Sequence, residues 1–188
     1  PLIAESVARG TPQDVTKWLR FRSAEDSAVI LDTVPAYAAS LDSFTVFNLA
    51  ARSEYMGNQD DAIFWFFYGR YRLRYDLLRC GSPDSIKVMA LLQSFSDIGD
   101  PSEDFTGDAE KMVPVLRRVL DHDAKFPPEN NPAYLCKAVN KLQRGSYAMV
   151  DKSQWAAIRH LLRVKTEQAI EDMTSKKGDA PEKGGGQE

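Results

Sequence analysis

Cysteine and histidine are scarce in this chain, with two of each in 188 residues. Cys80 and Cys136 lie 56 positions apart, a spacing that fits neither a CxxC redox pair nor a four-ligand zinc site. Two buried free thiols are the simpler reading; a disulfide is the sharper one, and it would point to an oxidising compartment. A run of about 18 apolar residues is missing, which excludes a membrane-spanning helix. The opening PLIAESVARG lacks a charged n-region followed by an apolar h-region. Because the chain starts at Pro1 rather than Met, a periplasmic location is expected if a leader was removed, and a cytoplasmic one otherwise. There is no excess of positive charge either. The net charge is -3 and the pI about 5.5, which disfavours nucleic acid as a partner. GxGxxG, the phosphate-loop Gly-Lys-Ser/Thr and Gly-x-Ser-x-Gly do not occur, so no cofactor is expected and no nucleophile elbow is present.

Sustained alternation at period two is the last scarcity, and it argues against a sheet. What is there instead is apolar spacing of three and four nearly throughout, within a composition of 43% hydrophobic and 27% charged residues. The expectation is an all-α fold of about eight helices, an irregular bundle of helical hairpins built around one core. A single domain over 1–175 and a disordered tail over 176–188 follow, since SKKGDAPEKGGGQE offers nothing apolar to anchor it.

Punctuation along the chain sets the elements. PLIAESVARG reads as a short helix closed by Gly10, with Thr11 and Pro12 opening a second through Val15, Trp18, Leu19 and Arg22. Val29, Ile30 and Val34 predict a helix that Pro35 ends or kinks, although their β-branching leaves a buried strand open. Residues 42–57 and 59–79 form a central pair of helices. Ser82, Pro83 and Asp84 start another that runs to about Phe95. Beyond a polar loop over 96–108, a helix passes through Val113, Leu116, Val119 and Leu120, KFPPENNP breaks the chain, Ala133–Leu142 is helical, and Ser153 opens a long final helix.

The central pair carries the most information. Ala62, Phe66, Gly69, Leu73, Leu77 and Cys80 fall on one helical face, and Gly57 suits a left-handed corner. With Leu49, Ala50, Gly57, Ala62, Phe66 and Gly69 at the family's spacing, residues 42–79 resemble a tetratricopeptide (TPR) repeat. The resemblance implies two antiparallel helices and a protein-binding role. Ser53 replaces the family's usual aromatic and Arg74 its helix-ending proline, so the second helix is expected to run one or two turns past a standard repeat. Leu2 with Gly10 and Leu91 with Gly99 repeat the leucine-to-glycine spacing without the other partners.

Phe64, Trp65, Phe66, Phe67, Tyr68, Tyr71 and Tyr75 cover nearly all sides of that second helix, which predicts its burial. The alternative is a binding groove in which Phe64, Tyr68, Tyr71 and Tyr75 line the walls and Arg70, Arg72, Arg74 and Arg79 the mouth. Asp121-His122-Asp123 is the nearest thing to a catalytic cluster. Consecutive helical positions turn by about 100°, so these three side chains cannot easily converge on one metal. Asp97, Asp100, Glu103 and Asp104 read as turn residues, or as an acidic patch that speeds association with a basic partner.

The expected function is that of a non-catalytic protein-interaction protein with no metal and no cofactor. A bacterial immunity or inhibitor protein occluding a cognate toxin is its specific form. An adaptor or chaperone holding a peptide in the aromatic groove is the first alternative, and a metal-dependent helical enzyme centred on His122 the second. The candidate partner-binding residues are Tyr68, Tyr71, Arg72, Arg74, Tyr75, Asp97, Asp100, Glu103 and Asp104.

Overall fold

A computed structural model of the chain describes residues 23–81, 108–143 and 148–178. They form α1 (Ala24–Thr33), α2 (Ser43–Tyr55), α3 (Gln59–Arg79), α4 (Ala109–Lys125), α5 (Ala133–Gln143) and α6 (Trp155–Gly178). Short 3-10 turns at Val34–Tyr37 and Lys152–Gln154 connect them, and no strand occurs among the described residues. The chain is all-α over this extent. The helices expected before residue 23 and over 84–95, and the acidic loop, lie outside the described residues. So do residues 179–188, where most of the expected tail falls; α6 itself continues to Gly178.

Local chemistry explains where the helices begin and end. Ser23 caps α1 by accepting from the backbone N–H of Asp26 at 3.2 Å. Pro35, which lacks a backbone donor, converts the end of α1 into the Val34–Tyr37 turn, so Val29, Ile30 and Val34 belong to helical backbone rather than to a strand. Asp42 caps α2, taking the N–H of Thr45 at 3.0 Å and its hydroxyl at 2.8 Å. Gly57 turns the corner into α3 at φ 77°, a conformation costly for residues with a Cβ. Asp108 caps α4 through the N–H groups of Glu110 and Lys111.

The α2–α3 hairpin is the heart of the core. Phe47 lies edge to face on Phe66 with ring centroids 5.8 Å apart. A Cβ at Gly69 would meet the Phe47 ring at 3.0 Å, so glycine is what lets the two helices close on each other there. Leu49, Ala50, Ala62 and Phe66 are all buried. α3 continues through Arg79 with no break at Arg74. It packs against α2, α4, α5 and α6, which is why its apolar residues wrap the whole cylinder.

The cysteines are not free. Cys80, at the C-cap of α3, is bonded to Cys136 of α5, with Cα atoms 5.0 Å apart. The simpler reading of two buried thiols is thereby corrected: a residue that ends one buried helix and a residue on the buried face of another meet at the same point of the core.

Candidate functional site

Residues of the proposed aromatic groove are core residues. Tyr68 and Arg72 have no exposed surface, while Tyr71 and Tyr75 retain 7% and 3%. Arg74 is half-buried. Burial raises the Tyr68 and Tyr71 hydroxyl pKa values, so neither phenol ionises near neutrality. Asp97, Asp100, Glu103 and Asp104 lie outside the described residues.

Arg72 and Arg79 of α3 are hydrogen-bonded inside the core. Arg72 donates to the carbonyls of Ala38 at 2.8 Å and Leu41 at 2.7 Å, to the Tyr68 hydroxyl at 3.2 Å, and to Asn130 Oδ1 at 2.9 Å. Arg79 pairs with Asp76 and donates to the Asn130 carbonyl at 2.9 Å and to Oδ1 at 3.2 Å. Its guanidinium is sandwiched 4.3 Å from the Tyr75 ring centroid and 4.4 Å from that of Trp155. Asn130 Nδ2 faces the Asp76 carboxylate at 3.3 Å, closing the network. One asparagine thus ties the extended segment after α4 to two arginines and an aspartate of α3. Sequence reasoning missed it, because an asparagine in a proline-flanked break reads as a turn residue.

Asp121, His122 and Asp123 diverge, as the helical step requires. Asp123 is fully buried and accepts from Arg159 Nε at 3.0 Å and Arg163 Nη1 at 3.2 Å, joining α4 to α6. Asp121 is exposed at the rim of a cleft. His122 sits among Phe64, Trp65, Tyr68 and Phe126, with ring centroids between 4.7 and 5.3 Å away. Its Nε2 is buried without a hydrogen-bond partner. Burial, reinforced by Arg118, Arg72 and Lys125, pushes the imidazole down to about pKa 4, so it is neutral at pH 7. Among the described residues no three His, Cys, Asp or Glu side chains come together as a metal site requires.

The cleft has a volume of about 430 Å³. Leu31 of α1, Pro35 of the following turn, Phe64 and Trp65 of α3, and Phe126 make its apolar floor, and Ser53 and Asn58 come from the α2–α3 corner. Asp61, Arg118, Asp121 and Lys125 supply its charge. Arg118 pairs with Asp61 at 2.7 Å while lying 4.0 Å above the Phe64 ring, and Lys125 stands 5.2 Å from the Phe126 ring. The arrangement suits reception of a side chain with an apolar body and a polar tip. Trp65, Arg118 and Lys125 were not among the expected site residues, since they come together only when α4 crosses the N-terminal half of α3. No family model, curated protein or solved structure matches this chain significantly.

Proposed function

We propose that this chain is a non-catalytic protein-interaction protein that seats part of a partner in the cleft between α1, α3 and α4. The observation that carries the reading is the cleft's aromatic floor beneath a charged rim. An apolar centre ringed by polar groups is the usual anatomy of an energetic hot spot at a protein interface. Farther along α3, the Arg72, Asp76, Arg79 and Asn130 network fixes the helix, so little ordering remains to oppose binding. An immunity or inhibitor protein that occludes a toxin is the specific form we favour, supported by small size, mild acidity and the TPR-like spacing of residues 42–79. The Cys80–Cys136 bond supports an oxidising compartment as its place of action. An adaptor would use the same cleft for an extended peptide.

Photo-crosslinking from Asn58, a cleft residue, in the native cell would identify the partner for purification and titration. Nanomolar binding to a folded enzyme with loss of its activity, weakened about tenfold or more by Lys125→Glu, is the expected result. Tight binding of short extended peptides alone selects the adaptor form. Unchanged affinity in both Lys125→Glu and Asn58→Arg removes the cleft from recognition.

A further inference from the structure

The charges around the cleft are not evenly arranged. Arg118, His122 and Lys125 recur along α4 at steps of four and three, so their side chains share a face spanning roughly 60° of the helix. Asp121 is turned roughly 100° from His122 and stands at the edge of that face. Both cations are braced by rings, Arg118 over Phe64 and Lys125 over Phe126. Asp61 engages only one guanidinium nitrogen, Nη2 of Arg118. Among the described residues, no carboxylate lies within ion-pairing distance of Lys125.

His122 lies on the same face; burial lowers its pKa, and the Arg118, Arg72 and Lys125 cations act in the same direction. Among the described residues, α1 and its following turn bring Leu31 and Pro35 to the cleft. The charged lining balances as two cations and two anions, and Asp61 is committed to Arg118, so the cation left to meet a partner's charge is Lys125, which has no carboxylate of its own among the described residues.

Resting on the reading of the cleft as the recognition site, we infer that its occupant is an acidic side chain of the partner protein. The carboxylate pairs with Lys125, and a neighbouring apolar residue of the partner lies over Trp65 and Phe126. A charge-assisted contact of this kind gives specificity as well as affinity, because an amide of the same shape cannot replace it.

Three blocked dipeptides that differ in the charge of one side chain provide the test: acetyl-Phe-Glu-amide, its near-isosteric neutral counterpart acetyl-Phe-Gln-amide, and the cationic acetyl-Phe-Lys-amide. Each is titrated into the full-length ¹⁵N-labelled chain, and the Trp65 indole N–H shift, assigned with Trp65→Phe, gives the affinity. The Glu peptide is expected to bind about tenfold more tightly than the Gln peptide, and the Lys peptide most weakly. Lys125→Gln, at an exposed position, should abolish the preference, whereas Asp121→Asn should tighten binding of the Glu peptide. Equal affinity for the Glu and Gln peptides, or preference for the Lys peptide, overturns the carboxylate inference and leaves the cleft as a recognition site. No Trp65 shift with any peptide at millimolar concentration overturns both.

Discussion

Asn130 shows how much can rest on one uncharged side chain. Its amide oxygen accepts hydrogen bonds from Arg72 and Arg79, and its amide nitrogen faces Asp76, all three of them fully buried. Asn130→Ala would leave those groups partly unsatisfied in the core, at a cost of about 2–3 kcal/mol measurable by chemical denaturation. His122 gives a second prediction at this scale. Its pKa is about 4 in the folded chain against the ordinary 6.5 of an exposed imidazole, so the unfolded state takes up the proton first as pH falls. Stability is therefore present in full above about pH 6.5 and declines toward pH 4. Allowing for the partial solvent access of the ring, the loss is of order 1–2 kcal/mol, and His122→Phe should flatten the slope. Neither role was legible beforehand. Asn130 has no periodicity to betray it, and the environment of His122 depends on a crossing between α3 and α4 that local spacing does not encode.

Helices were far more readable than sites. The proline stop at Pro35 and the glycine corner at Gly57 act within a few residues of themselves, so local rules located them, whereas the caps at Asp42 and Asp108 were not singled out. The aromatic density of α3 likewise announced burial on all sides, since no exposed helix can present rings around its whole circumference. What could not be read was the choice between a core and a groove for Tyr68, Tyr71 and Arg72, because a buried arginine and a groove-mouth arginine look alike in sequence. Two substitutions test the hairpin. Phe66→Ala should cost about 3–5 kcal/mol by opening a cavity against Phe47. Gly69→Ala, which drives a methyl into the same ring, should cost about 1–3 kcal/mol; a thermal or denaturant midpoint equal to that of the parent would contradict the close approach of α2 and α3.

For the molecule as a whole, the Cys80–Cys136 bond spans a separation of 56 residues and links the end of α3 to α5. A loop of that length restricts the unfolded chain enough to contribute about 4 kcal/mol, so Cys80→Ser with Cys136→Ser should lower denaturation stability by about that amount. A wild-type chain assayed with and without reductant should show the same difference. The pairing of cysteines so far apart was left open by the sequence, because separation alone cannot say whether two buried thiols point at each other.

The central position of α3 has a consequence for how the molecule opens. Four other helices lean on it, so its backbone amides can exchange with deuterium only when those neighbours have come away. Amides of residues 65–77 should accordingly be the slowest in the described chain, exchanging together at a rate set by complete unfolding. Those near the outer end of α6, where most side chains face water, should be replaced in earlier and smaller excursions.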